Sequence, residues 1–549
     1  MNNVPNNWVS CSLEDLLITL ESGSRPKGGV KGISDGTPSI GGEHLTYQGS
    51  FDWSSVRYVP EAFANSMNKG KIQTNDILIV KDGATTGKTA FVDEHFPFPK
   101  AVVNEHIFIC RPSNLINPKF LFRYLTSKDG QERILENFKG SAQGGINLTF
   151  APNTEVLLAP LNEQRRIVAK LEKLLAKVDT CKERLDKIPG ILKRFRQSVL
   201  SAACSGRLTA DWRENNPDVE SAEELLKRIQ EERRATWEKT QLIKMRSKGE
   251  EPKNDKWKTK YKELNFPNVG DLSELPEKWC YTFIEPLLSL TRRGMKTGPF
   301  GSLLKKHEHQ LDGVPVLGIE NITALKFVAG NKIYVTKDKA NELLEYDAQP
   351  GDILISRSGT VGEVCVVPEG LGEARISTNL VRIALTLNGM LPFFFCMLFN
   401  GSPFVLSQVS DLCKGSTRDF LSQDILSSII FSLPPLPEQQ EIIHRVETLF
   451  KTADQIEQRY QKAKSYIDQL TQSILAKAFR GELVPQDPND EPASVLLERI
   501  RAERENRENV AKTAKKPVAN KKQRSKKAQP QLEPKPQLEP IQLELSLFD

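Results

Sequence analysis

Gly83, Gly87, Lys88 and Thr89, within "KDGATTGKTA" at 81–90, come closest in this chain to a catalytic signature. A strand, a glycine turn and then Gly-Lys-Thr is how a phosphate-cradling loop begins, and such a loop would make the chain a nucleotide hydrolase. That chemistry needs four residues between the first glycine and the Gly-Lys pair, so that backbone N–H groups wrap the phosphates. Only Ala84, Thr85 and Thr86 stand there. The loop must also open a helix whose N-terminus faces the anion, whereas Thr89-Ala90-Phe91-Val92 reads as a strand. Spacing and context argue for a turn between two strands.

Other chemistry is equally thin. His307-Glu308-His309 offers metal ligands, but beside Lys305-Lys306 and without a partner cluster it reads as a solvated loop. The eight cysteines are scattered singly, with no C-x-x-C pair. That usage suits neither a zinc site nor a disulfide framework and points to a reducing cytoplasm. Histidine positions do not repeat: residues 275 after His44, His95 and His106 are Ile319, Gly370 and Val381. No glycine-rich cofactor fingerprint follows a strand. The Asn-Pro-Pro or Asp-Pro-Pro tetrapeptide ending in an aromatic, wanted for amino-group methylation of a base, is missing from the sequence. The chain reads as non-catalytic, with no metal or cofactor of its own.

A chain of 549 residues, 38% hydrophobic and 27% charged, is long enough for three or four folding units. Its most apolar stretch, "LPFFFCMLF" at 391–399, is too short to span a bilayer and reads as a buried helix. The opening "MNNVPNNWVS" lacks the regions of a signal peptide, so no membrane partner is expected. Net charge is +6, but 511–549 holds nine Lys/Arg and four Asp/Glu, leaving the first 510 residues about +1. Nucleic-acid binding would therefore rest on local patches.

The sequence is written twice. "PLNEQRRI" at 160–167 returns as "PLPEQQEI" at 435–442, and Pro160–Leu208 matches Pro435–Leu483 at 16 of 49 positions without a gap. "NDILIVKDG" at 75–83 returns as "GDILISRSG" at 351–359, where Lys88 and Thr89 have no counterpart. A turn kept without its phosphate ligands is a scaffold turn. "SAEELLKRIQEER" at 221–233 resembles "PASVLLERIRAER" at 492–504, at an offset of 271.

Each copy has a globular front of short Val/Ile/Phe-rich strands with a helical stretch, 117–138 in the first, and so an α+β fold. Each then has a long helix. Ile167, Leu171, Leu174, Val178, Cys181, Leu185, Ile188, Leu192, Phe195 and Val199 advance in steps of four and three, as do Ile442, Val446, Leu449, Ala453, Ile456, Tyr460, Ala463, Ile467, Leu470 and Ile474. Such heptads predict long helices with one apolar seam, packed antiparallel on each other as a spacer bar or covered by another subunit. Pro189-Gly190 predicts a break in the first helix alone. The chain thus divides into globular domains at 1–158 and 271–433 and helical regions at 159–208 and 434–483. A charged helical insert occupies 209–270, an amphipathic helix 484–510 and a basic, proline-containing tail that reads as disordered 511–549. The helices after each spacer read as solvated amphipathic helices, with partner binding as the alternative.

Local patches point to a polyanion. Arg25 and Lys27 lie in "SGSRPKGGVKG", and Lys296, Lys305 and Lys306 lie in the corresponding "TRRGMKTGPFGSLLKK". Lys139 and Gln143 in "FKGSAQGG" match Lys414, Thr417 and Arg418 in "CKGSTRDF". Lys81, Lys88 and Arg357 flank the glycine turns. Loops carrying Arg, Lys and Gln can reach phosphates and base edges. A common scaffold with different reading residues is what two half-site readers would show.

Three motifs inside this duplication carry a resemblance: "PGDILISRSGTVG" at 350–362, "GPFGSLLK" at 298–305 with "GVPVLGIENI" at 313–322, and "PLPEQ" at 435–439. They are similar to the specificity subunit of Type I restriction-modification enzymes over almost all of 1–510. Copy one departs most in its early loop, where "SRPKGG" replaces "GPFGS". The resemblance implies two target-recognition domains on double-stranded DNA, each reading half of a split, asymmetric sequence, with the helices setting the gap. It further implies two methyltransferase subunits that bind S-adenosylmethionine and methylate adenine, and two restriction/translocase subunits using ATP and Mg. A coiled-coil scaffold, or an orphan DNA-binding protein without such a complex, is the alternative.

Overall fold

The computed structural model describes residues 5–514 apart from 141–143, 253, 269, 271, 301–302, 324, 387 and 414–419, with side chains described to 510. The chain forms two compact units, Met1–Ala176 with Leu470–Asp549 and Lys177–Gln469. In chain order the principal helices are α1 (Pro118–Thr126), α2 (Lys128–Leu135), α3 (Leu161–Asp186), α4 (Ile188–Cys204), α5 (Ala222–Ser247), α6 (Pro392–Gly401), α7 (Pro403–Leu412), α8 (Leu436–Phe479) and α9 (Ala493–Ala514).

Both globular domains have one topology. In the first, a sheet runs Leu17–Ser22, Ile107–Pro112, Ile77–Val80, Thr89–Phe91; in the second, Met295–Thr297, Leu380–Ile383, Ile353–Ser356, Val364–Val366. Each domain adds a three-stranded sheet with one parallel pair, Ser39–Ile40 beside Val102–Val103 and Val316–Leu317 beside Arg375–Ile376. The run Ile77-Leu78-Ile79-Val80 is a strand buried throughout, as an unbroken apolar run requires when both faces are covered. The glycine stretch after it is a strand-to-strand turn: Ile77 pairs with Phe91 and Ile79 with Thr89. Gly83 (φ +82°) and Gly87 (φ +90°) supply the left-handed backbone there, as Gly359 (+84°) and Gly362 (+86°) do in the second copy.

The helical stretch at 117–138 is a pair of helices, because Ser127 stops α1 and caps α2, accepting from the Gly130 N–H at 3.1 Å. Ser402 does the same between α6 and α7, accepting from Val405 N at 3.3 Å. The "LPFFFCMLF" segment is α6, buried from Phe394 to Phe399. No single described helix is long and apolar enough to cross a membrane; α6 and α7 pass such a test only as a pair bent by 73°. All eight cysteines are free, and burial pushes the Cys11, Cys204, Cys280 and Cys365 thiols up to about 12.

The Pro-Leu-x-Glu-Gln motif fastens each domain to its long helix. Gln164 accepts from the Asn117 N–H at 2.9 Å and donates to the Ala159 carbonyl at 2.8 Å. Gln439 accepts from Leu391 N at 2.8 Å and donates to the Gly389 and Pro434 carbonyls, both at 3.0 Å. The neighbouring glutamates are also buried. Glu163 accepts from the Trp8 indole and from Gln486, and Glu438 from the Trp279 indole, Thr209 and Arg213.

The first long helix breaks at Lys187, just ahead of Pro189, whose missing N–H cannot continue the ladder. Its counterpart α8 runs 44 residues unbroken. In the second unit the helices run antiparallel. Lys182 pairs with Asp468 at 3.4 Å; fourteen positions later Arg196 pairs with Asp454, fourteen positions earlier, at 2.8 Å. The seam holds at Ile167, Leu171, Val178, Ile442, Val446 and Tyr460, which are buried, while Leu174, Leu185 and Leu449 are half-buried. Ile456 instead is 43% exposed, and Cys181, Phe195 and Leu470 also lie on the surface. A helix of 3.6 residues per turn drifts about 20° per heptad from a strict 3.5 repeat. Ala453 keeps its seam place, whereas Leu175, one position off the repeat, accordingly takes a buried place.

The helices after each spacer are not solvated along their first turns. Ala222, Leu225, Leu226 and Ile229 of α5 join the core of the second domain. Ala493, Leu496, Leu497 and Ile500 of α9 are buried in the first unit. Ala222 N donates to the Lys278 carbonyl at 2.9 Å and Ala493 N to that of Asn7 at 3.0 Å. Each copy therefore docks its trailing segment on the other copy's domain, so the spatial units differ from the sequence repeats.

Candidate nucleic-acid interface

In the first domain the end of strand Ile77–Val80 gathers three distant loops. Lys81 N donates to the His106 carbonyl at 2.9 Å, and Ile146 N donates to the Lys81 carbonyl at 2.7 Å. Asp82 and Lys139 each bridge to Gly145. Arg25 meets Glu105 at 2.9 Å and the His106 ring at 3.1 Å, and His106 Nδ1 lies 2.6 Å from Asp82. Arg25, Lys81 and Lys139, singled out from sequence, thus converge. The group also contains Asp82, Glu105 and His106, which sequence reasoning misses; His106 gives no repeat signal because it has no copy 275 residues on. Lys27 is exposed on the Arg25 loop. Lys88 lies apart, its ammonium 4.6 Å above the Tyr47 ring in a recess shared with Lys128, Gln131 and Gln472.

In the second domain Arg357 occupies the backbone place of Lys81. Its N–H donates to the Asn379 carbonyl at 2.9 Å, and its carbonyl accepts from Leu421 N at 3.0 Å. The side chain behaves differently. Only 7% exposed, the guanidinium lies 4.0 Å from the Phe420 ring centroid and 5.7 Å from that of Phe300. One nitrogen donates to the Thr378 carbonyl at 3.4 Å, while Nε has no partner among the described residues. Burial holds its pKa below the ordinary arginine value. Arginine tolerates such a place because its flat, weakly hydrated cation stacks on aromatic faces.

Lys305 and Lys306 are exposed, and His307-Glu308-His309 is a surface turn whose Glu308 pairs with Lys339 at 2.8 Å. Lys296 is packed inward, 2.6 Å from Glu345 and 4.4 Å above the Tyr346 ring. The stem is buried while the ammonium, above that ring, reaches the exposed Glu345, which accounts for this. Gln143, Lys414, Thr417 and Arg418 lie outside the described residues.

The arrangement suits recognition: Arg25, held by Glu105, can exchange that partner for a phosphate or a base edge, and Lys81 and Lys139 stand beside it. Among the described residues no group of three His, Cys, Asp or Glu side chains is placed to hold a metal ion. His44 has a structural part instead. Buried, it accepts from Gly41 N at 2.8 Å, the role that Asn321 plays for Gly318 at 2.8 Å in the second domain.

The profile of the Type I restriction modification DNA specificity domain matches residues 5–189 and 301–465. The chain is 30% identical over 474 residues to the Type I restriction enzyme EcoKI specificity subunit of Escherichia coli K12, covering 83% of this chain and 86% of that one. It is 26% identical over 517 residues to the StySPI specificity subunit of Salmonella potsdam, covering 88% and 97%. Among solved structures, a chain from work on assembly and conformational transition of the type I R-M system has a TM-score of 0.59 at 17% identity, covering 87% and 99%. The HsdS subunit of Thermoanaerobacter tengcongensis has a TM-score of 0.50 at 16% identity, covering 87% and 98%. These structural likenesses carry the fold.

Proposed function

This chain belongs to the Type I restriction-modification DNA specificity family, and from that premise we propose how it divides its labour. It is the DNA sequence-recognition subunit. Each globular domain reads one half of a bipartite, asymmetric duplex target, and α3, α4 and α8 set the unread gap between the halves. Two methyltransferase subunits dock on the helices and carry S-adenosylmethionine for adenine methylation. Two restriction/translocase subunits, using ATP and Mg, join them in the full complex. This chain contributes no catalytic group, and it works in the cytoplasm.

The observation that carries the reading is the pair Lys81 and Arg357. The same backbone place in two domains of one topology holds different cations in different surroundings. Joining two such readers makes the second half-site encounter effectively intramolecular, which raises affinity without new contacts. The test is selection from a random duplex pool by the chain purified with its partners. The reading expects two short defined blocks at a fixed separation. A single continuous block, or no enrichment, would overturn it.

A further inference from the structure

The outer half of α5 and the return behind it take no part in either recognition domain's core. Beyond Ile229 no residue of α5 is buried. Gly249, at φ +73°, turns the chain back. Trp237 then stacks on Trp257, with ring centroids 5.9 Å apart and planes at 23°, and meets Tyr261 at 5.4 Å. The result is a pinned arm whose helical tip extends about 15 Å past Trp237.

Its charge stands out within residues 1–510. From Lys239 to Lys262 nine Lys/Arg face three acids, a net +6, whereas residues 1–510 together carry about +1. The remainder of that span is therefore about −5. Lys244, Arg246, Lys248, Lys256, Lys260 and Lys262 are all exposed and, among the described residues, lack a carboxylate partner. A merely solvated helix face looks different, and α5 itself shows how. Before the arm, Arg228 pairs with Glu220 and Glu232, and Arg234 with Glu238.

We infer that this arm is a sequence-independent contact to the phosphate backbone of duplex DNA, separate from the two reading surfaces. The inference rests on the DNA-recognition reading above. Each phosphate neutralised steepens the dependence of log affinity on log salt by about 0.9.

The test uses the chain purified with its partners, a duplex carrying the selected target and one of scrambled sequence. In one variant the six cations become Gln; in a second the five lysines become Arg. The Gln variant should keep its melting temperature. It should lose about three from the salt slope and on the order of a hundredfold in affinity near physiological salt, equally on both duplexes, while the Arg variant keeps both. An unchanged slope in the Gln variant, with the wild type still selecting its target, overturns the arm alone. Loss confined to the target duplex would make the arm a sequence reader and overturn the inference. Loss of a partner subunit at unchanged slope would make it a protein-docking surface and likewise overturn the inference. A wild type that selects no sequence removes the recognition reading and this inference with it.

Discussion

Trp279 donates its indole N–H to Glu438 at 2.8 Å across 159 residues, and Trp8 does the same to Glu163 at 3.0 Å across 155. Each glutamate stands in the first turn of a long helix, where the dipole favours an anion. Each also accepts from a segment that trails the other copy's helix, Thr209 and Arg213 in one case and Gln486 in the other. One buried carboxylate therefore ties together a domain, its own helix and the other copy's trailing segment.

Removing it should be costly, and unequally so. Glu438→Ala leaves Arg213 without its carboxylate and should destabilise by about 3 kcal/mol. Glu163 serves only neutral donors among the contacts named, so Glu163→Ala should cost about 1–2 kcal/mol. Denaturant unfolding of the two variants measures both, and equal losses would contradict the different partners.

The helix seam makes a second contrast. Ile442 is buried and Ile456 is 43% exposed, although both are heptad positions. Ile442→Ala should cost about 2–4 kcal/mol, and Ile456→Ala less than about 1 kcal/mol. Thermal unfolding distinguishes this from a strict seam, in which both would cost the same.

The two kinds of cation should separate by specificity. Lys139, exposed beside the strand end, fits a phosphate contact; Lys139→Ala should weaken binding to every duplex alike and reduce the salt slope by about one. Arg357 is fixed between two rings, so Arg357→Ala should relax recognition in one half-site, by about 1–3 kcal/mol at a single base pair. Affinities across single-base substitutions of the target would show which pattern each follows.

Acid should loosen both units. The Arg166 guanidinium holds Asp490 below the ordinary aspartate value, and Arg445 does the same to Asp211. A carboxyl with a lowered folded pKa contributes stability above its unfolded value, near 3.9, and loses it as pH falls through the folded value. Melting temperatures should therefore fall below about pH 4. Asp490→Asn should flatten part of that decline and cost about 1 kcal/mol at neutral pH.

Much of this is legible in the sequence. The fixed offsets expose the duplication, the apolar run at 77–80 the central strand, and Pro189 the helix break. The exchange of trailing segments is not legible, because α5 and α9 carry the same apolar pattern and an offset cannot say which copy receives them. The inward turn of Lys296 depends on Glu345 and Tyr346, about fifty residues away, beyond any local pattern. His44 escapes because insertions move its counterpart Asn321 to an offset of 277 and change its type.

The most direct measurement is a genome-wide map of N6-methyladenine in three strains: one carrying the intact gene, one with residues 1–158 exchanged for those of a relative, and one without the gene. A split motif should appear with the intact gene, change in one half alone after the exchange, and vanish without the gene. A motif that persists without the gene, or changes in both halves at once, would contradict recognition by two independent domains.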